Sequence, residues 1–524
     1  MSQASGWPVE KLPFLVLNLK LGQALRDIEA YFSGSSNAVL HEVLAQAYSL
    51  GASTALVEKR YVDADYRNEH SHFYSTTFRE YPAFANRVHF FREAFEMEDL
   101  PPSPVDFSKY GYLGYAVLRP VHAAPVGRTI LPPPLEADGA IVCVATHSVN
   151  LFGTTLQVIG MPFVAQDAQL GRCGQASMQM CSFYHHLAFS APRQLPSDVA
   201  QMSTSRSSRF GRAVPSPGTD VGQLVEGLHA LGIPPVVFDT SMEQSLEYEA
   251  VVCRYLNSRL PVMIVTPRHA FTLVGYRRQM NLDGNYDIQF LRHDDEKGPY
   301  QWVQSPWLER EYGLWSHILI PLPRKVYLDG ELAEASGKER LLKTLKESLA
   351  PEDVDLLAEW DHPDRHLMLR SAVVHSNTLK GYLPTSGLPE RMAALLQFLE
   401  MSRFIWLVEL VERHGWGNST DAAKAAETVR AFVVLDATDH VRDLQPIAWA
   451  VPSGLAVQRP GEEPYFFPGH SSPSHRSVVE ILGDLISGRD EAGDVTLLLT
   501  NIENEDEPTP SPPNHGTPQV SENL

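Results

Sequence analysis

Apolar residues change their spacing several times along this chain, and each change predicts an element. Between residues 173 and 189, Ala176, Met180, Phe183, Tyr184 and Leu187 recur three and four positions apart, which predicts a helix with one buried face. A short strand is expected just upstream, at 161–165. Residues 37–52 predict another amphipathic helix, with Val39, Leu40, Val43, Leu44 and Ala47 on one side. Strands are expected at 110–119 and 140–146, separated by the Pro-rich loop 131–134. Thr219 and Asp220 should cap a helix running to Leu231 and stopped by Gly232. Then follow a buried strand at 236–239, a helix at 242–256 and a strand at 261–266. The β-branched run from Phe271 to Tyr276 and the run 286–293 flank Asn281-Leu282-Asp283-Gly284, a hairpin signal. Beyond residue 325, leucines at helical spacing predict helices at 339–349, 388–401 and 403–414. Strands at 428–436 and 447–457, a helix at 478–485 and a strand at 495–500 complete the pattern.

Composition narrows the class. A chain of 524 residues suggests three domains, and 44% apolar residues is ordinary for globular cores. The expected boundaries are 1–150, a mixed N-terminal domain; 151–324, a central domain; 325–502, a C-terminal domain; and 503–524, an acidic, Pro/Ser-rich disordered tail. A net charge of −20 argues against a nucleic-acid footprint. Four cysteines without a CxxC pair are too few for a disulfide scaffold and fit a reducing cytoplasm. Neither a signal peptide nor a membrane-spanning run is expected. Phosphate-cradle, dinucleotide, HExxH and GxSxG patterns are missing, so no cofactor or metal is expected. His70 with His72 lacks further ligands at metal-binding spacing, and Cys181 with His185 and His186 lacks a complementary cluster. His470 and His475 read as loop residues.

The candidate chemistry centres on Cys173, at the mouth of the predicted helix. A thiol there meets unpaired N–H groups and the positive end of the helix dipole, both of which favour the thiolate. Gly171, Gly174, Ala176 and Ser177 keep its surroundings thin. Gln166, seven residues upstream, could offer a side-chain amide to an oxyanion. His269 heads the first hairpin strand. With the turn centred between residues 282 and 283, Asp294 should face Phe271, on the diagonal from His269. A base, an orienting acid, a nucleophile and an oxyanion donor thus occur in the order Gln, Cys, His, Asp. Residues 190–218, rich in Ser, Pro and Arg, leave the cysteine helix as a long loop: a lid, a cleavable segment or plain disorder.

These residues resemble the papain-like cysteine peptidases, nearest the branch that processes bacteriocin leaders. The segments that carry the likeness are VIGMPFVAQDAQLGRCGQASMQM, YLNSRLPVMIVTPRHAFTLVGY and LRHDDEKGPY, within residues 158–323. The resemblance implies an α+β fold: a papain-like two-layer catalytic domain, its cysteine helix packed on an antiparallel sheet, flanked by N- and C-terminal α/β domains. It also implies a Cys173–His269–Asp294 triad with Gln166 at the oxyanion. The Gln-to-Cys gap is one residue longer than in that branch, which makes Gln169 the fallback donor. The His-to-Asp interval is also long, so Asp295 is the alternative acid. Three functions stay open: cleavage of a peptide or isopeptide bond in a dedicated protein substrate, glutamine deamidation or transglutamination, and an inactive papain-shaped scaffold. The flanking domains suggest a protein partner, and the oligomeric state is open.

Overall fold

Every strand pairing among the described residues is antiparallel, including those whose connections carry helices, and the result is a set of antiparallel sheets. The computed structural model describes residues 13–19, 37–95, 105–121, 124–134, 140–167, 172–203, 218–241, 247–280, 286–362, 367–386, 388–413, 427–439, 444–459, 461–469 and 475–476. The fold is α+β. The first sheet is a meander of β1 (Phe14–Asn18), β2 (Thr54–Tyr61), β3 (Ala85–Phe91), β4 (Tyr112–Leu118) and β5 (Val126–Ile130), in that order. After it come β6 (Ile141–Val142) and a separate hairpin, β7 (Ala145–Leu151) with β8 (Thr154–Gly160). The run expected as one strand at 140–146 is therefore split between two sheets, and residue 150 lies inside the hairpin.

The central sheet is built from β9 (Pro235–Asp239), β10 (Val262–Val265), β11 (Ala270–Met280), β12 (Tyr286–Asp294), β13 (Gly298–Gln304) and β14 (His317–Pro321). Its order is β13-β12-β11-β10-β14-β9, with β6 paired to β11 beyond the end of β10. β9 is an edge strand with only Phe238 buried, which corrects the expectation of a buried strand there. The helix Cys173–Phe189 packs its buried face on β11 and on the β7–β8 hairpin, giving two layers. The helix at 242–256 is observed as Tyr248–Asn257. Residues 190–218 are not wholly loop. Pro196–Met202 forms a helix with proline at its first position, and 204–217 fall outside the described residues. The strand expected at 161–165 is reduced to one bridge, Thr129 with Phe163.

The C-terminal sheet, β15 (Leu367–His375), β16 (Phe404–Arg413), β17 (Glu427–Asp436), β18 (Pro446–Val451), β19 (Gly454–Val457) and β20 (Tyr465–Pro468), is again an antiparallel meander, with β21 (His475–Arg476) beside β17. The flanking units are thus antiparallel rather than α/β. The helix expected at 403–414 is strand β16. Its centre, Ile405 to Val408, is buried on both faces, and a run with no polar side carries no period to separate helix from strand. The elements expected at 478–485 and 495–500 and the tail lie outside the described residues.

One apolar core runs through all three sheets. Trp406 of β16 is fully buried, donates to the Leu328 carbonyl at 2.8 Å and meets Tyr255 edge-on at 6.1 Å. A Cβ on Gly330 would come within 2.9 Å of its ring, so the helix Gly330–Glu347 starts on a glycine where it wedges between the sheets. No helix among the described residues is long and apolar enough to cross a membrane. Trp406→Ala should lower stability by about 3–5 kcal/mol, the usual effect of emptying a buried tryptophan site. Urea unfolding measures it; a loss below about 1 kcal/mol would show that this junction carries little of the fold.

Candidate active site

Cys173 is the first residue of its helix, half-buried, with Arg172 as N-cap. The cap is fixed by Gln175, whose side-chain oxygen accepts from the Arg172 N–H at 3.0 Å and whose amide donates to Ser203 Oγ at 3.2 Å. The glycine after the thiol has a steric reason. A Cβ at Gly174 would lie 2.5 Å from Thr219 Oγ1 and 2.9 Å from Leu224 Cδ2, so only hydrogen lets the helix Val221–Ala230 seat against this turn. At this first helical position the Cys173 N–H has no intrahelical acceptor.

The histidine is delivered by the turn between β10 and β11. Thr266 Oγ1 accepts from the His269 N–H at 3.0 Å and donates to the His269 carbonyl at 2.9 Å, and the Thr266 N–H reaches the same carbonyl at 2.9 Å. That locks His269 at the corner of the hairpin. Register then brings in the acid. Thr272 pairs with His293 and Leu273 with Arg292, which sets Phe271 opposite Asp294 as the sequence count requires. Nearer the turn, however, Gly275 pairs with Leu291 and Met280 with Tyr286, one residue out of step with that count. A bulge between Leu273 and Gly275 absorbs the difference. The turn itself, 281–285, lies outside the described residues.

His269 Nε2 lies 3.1 Å from Asp294 Oδ1, and the Cys173 side chain lies close enough to the same imidazole to raise its pKa. With Nε2 committed to the acid, Nδ1 is the nitrogen left for sulfur. Burial alone would push the imidazole's pKa down; the hydrogen bond to Asp294, the Cys173 side chain and the charges of Asp294 and Asp295 outweigh it and hold the pKa at about 10. His269 is therefore a cation at neutral pH. Asp294 is buried, which raises its pKa, yet the net shift is downward through His269, Arg292 and Tyr312. Its Oδ1 also accepts from the Glu296 N–H at 3.0 Å, and its Oδ2 accepts from the Tyr312 hydroxyl at 2.7 Å with Arg292 Nη1 at 3.3 Å. The Tyr312 ring lies over His269 at 4.6 Å.

The expected residues do not all meet in one place. Cys173, His269 and Asp294 come together. The Gln166 amide donates to Glu296 Oε1 at 2.5 Å, beside the turn that follows Asp294, leaving its second N–H as the available donor. Gln169 and Gly171 lie outside the described residues. Arg292 and Tyr312 were missed. Arg292 sits two residues before Asp294 and so shares its face of β12, a signal that was legible. Tyr312, at the end of the helix Ser305–Tyr312, left no local signal.

Asp295 is a further member. The alternative acid of the sequence reading is buried, with Oδ1 3.6 Å from His269 Nε2 and neither oxygen hydrogen-bonded. Burial raises its pKa, His269 opposes, and Asp294 and Glu296 add to the rise, which ends at about 8. His269, Asp294 and Asp295 offer ligand atoms within 4.8 Å of one another. The Asp294 oxygens are spent on His269, Glu296, Tyr312 and Arg292, and a guanidinium so close opposes a cation, so the chemistry of the set favours a charge relay over a metal.

The other cysteines differ. Cys143, Cys181 and Cys253 are buried, and burial pushes the thiols of Cys181 and Cys253 up to about 12. His185 is packed inside and held down at about 3 by burial. His70 and His72 bond the carbonyls of Tyr81 and Asn68. His475 lies in β21, not a loop, and His470 is outside the described residues. Comparison with protein-family models and with curated proteins returns no match to this chain.

Between about pH 4 and 8 the folded protein holds a proton at Asp295 that the unfolded chain has released, so this group makes stability fall as pH rises through that window. Asp295→Asn is neutral throughout. It should be more stable than the wild type at pH 8, by about 1 kcal/mol or more, with the gain fading toward pH 4. Urea titrations at both ends of the window measure the difference; an equal gain at both would contradict it.

Proposed function

We propose that the protein is a papain-like cysteine peptidase of the cytoplasm that cleaves a peptide or isopeptide bond in a dedicated protein substrate. The observation that carries this reading is a single imidazole that is bonded to the Asp294 carboxylate and close enough to the Cys173 side chain to be shifted by it. The imidazole stands beside a half-buried sulfur at a helix start, the pairing of nucleophile and base that thiol hydrolysis uses. The helix-on-antiparallel-sheet arrangement supports the likeness in fold, and four free cysteines support a reducing compartment.

In this reading Cys173 sulfur attacks the carbonyl carbon, and the carbonyl electron pair moves to oxygen. The Cys173 N–H and the free Gln166 amide hydrogen stabilise that oxyanion. As the carbon–nitrogen bond breaks, His269 gives its proton to the leaving amine, and a thioester remains. Water then attacks the thioester while His269 takes up one of its protons, and the sulfur leaves as thiolate, which releases the acid and restores the starting thiolate–imidazolium pair. Asp294 keeps the imidazole oriented throughout, with Tyr312 and Arg292 holding Asp294.

An epoxide thiol-protease reagent should label Cys173 at least about 100-fold faster than Cys181 or Cys253, and His269→Ala should remove roughly that factor. Peptide mapping by mass spectrometry reads both. Comparable rates at all three cysteines would leave only the scaffold. Proteome-wide comparison of cells carrying the wild type and Cys173→Ala should then reveal new chain termini; ammonia release with substrates intact would reassign the site to glutamine deamidation.

A further inference from the structure

The segment that carries Gln166 belongs to the catalytic cleft by chemistry but not by strand pairing. Among the described residues, 161–167 pair with β5 of the N-terminal sheet: Thr129 and Phe163 exchange backbone hydrogen bonds of 2.9 Å each way. Toward the central sheet the segment has no strand pairing among the described residues, only side-chain contacts: the Met161 N–H donates to the Tyr300 hydroxyl at 2.7 Å, Phe163 meets His293 edge-on at 5.6 Å, and Gln166 bonds Glu296. Both neighbours of Gln166 are gripped by the N-terminal region. Arg119, buried at the end of β4, donates to the Ala165 carbonyl at 3.1 Å and to the Val126 carbonyl at 2.8 Å. Its other nitrogen is held by Glu69 at 3.0 and 3.2 Å. On the other side, the buried Tyr74 hydroxyl donates to Asp167 Oδ2 at 2.7 Å. Glu69, Arg119, Gln166, Asp167, Gln175 and Gln179 line one cavity of about 20 Å³, so this grip lies directly behind the start of the Cys173 helix.

We propose that the N-terminal region is a positioning clamp for the oxyanion donor: Arg119 and Tyr74 are positioning residues that fix Gln166 by holding Ala165 and Asp167. The inference rests on the peptidase reading and goes further, because it makes the N-terminal sheet and the residues packed on it, Glu69, Tyr74 and Arg119, part of the cleft. An oxyanion donor works only when its hydrogen sits where negative charge develops, and displacement by about 1 Å costs roughly 100-fold. Beyond the Phe163 bridge, residues 164–167 have no strand partner among the described residues to resist such a displacement. Two side-chain contacts, one on each side of Gln166, supply that resistance.

Two reagents separate the clamp from the thiol. Iodoacetamide is displaced by sulfur with loss of iodide, and no oxyanion forms. N-acetylglycinal adds the sulfur to its aldehyde carbon, the carbonyl electron pair moves to oxygen, and that oxygen takes a proton from His269; the hemithioacetal therefore samples the donor. Tyr74→Phe, which keeps the buried ring, and Arg119→Lys should alkylate at Cys173 within about twofold of the wild type. Protection of Cys173 by the aldehyde should need at least about tenfold more of it, and amides 163–167 should exchange hydrogen faster. Gln166→Ala should match the variants in aldehyde protection without faster exchange at 163–167. Unchanged aldehyde protection in both variants, or no protection of a fast-alkylating wild type, would overturn the clamp. A Cys173 that alkylates no faster than Cys181 would overturn the peptidase reading itself, a separate result.

Discussion

Everything at the cleft depends on a buried charge pair, the His269 imidazolium on the Asp294 carboxylate. Removing two charges from water is costly, and it is tolerated only where the remaining lone pairs and protons are satisfied. Asp294 meets that condition with His269, the Glu296 amide, Tyr312 and Arg292 around its two oxygens. Asp295, one residue on, does not, since its oxygens are buried and unpaired. Adjacent carboxyls of one chain therefore divide the work: one is stabilised as an anion and the other is held toward its neutral form. Because successive residues of a strand point to opposite faces, it takes the end of β12, where the ladder slips between Arg292 and Asp294, to bring both toward one imidazole.

Two layers supply the other partners, and each is held by a local device. The helix layer presents sulfur through a side-chain cap at Gln175 and a glycine that admits the helix Val221–Ala230. The sheet layer presents nitrogen through the Thr266 turn. A third piece, the strip around Gln166, belongs to neither layer. It hangs between the N-terminal sheet and the turn after Asp294, tied to Glu296 at one point and to Arg119 and Tyr74 at others. The geometry of the candidate site here depends on contacts between residues as many as 130 positions apart.

Local pattern made much of this legible. The helix 38–49, with the five inward residues read from spacing, and the cysteine helix both follow 3.6-residue periodicity. The pairing of His269 with Asp294 was reached by counting from the turn, but the count agrees at the site only because the bulge at Leu273–Gly275 compensates for a turn one half-step away from its assumed centre. β16 was misread because burial on both faces erases alternation. Asp295, the alternative acid of the sequence reading, lies buried beside His269, although a DDE run carries no sign of that burial. Tyr312, Tyr74 and Arg119 act across long sequence separations, where single-sequence periodicity holds no information.

The pairing of β6 with β11 bears on where this protein can be divided. Ile141 and Val142 lie beside Tyr276 and Gly275, and a Cβ on Gly275 would come within 2.5 Å of the Ile141 carbonyl, so the fit is close. These two residues precede the boundary at 150 drawn from sequence, yet they cover the stretch of β11 that β10 leaves bare. A fragment beginning at 151 would carry Cys173, His269 and Asp294 but would open an unpaired sheet margin in its middle, where other chains could add. Recombinant dissection of this enzyme candidate is best made with residues 13–321 kept whole.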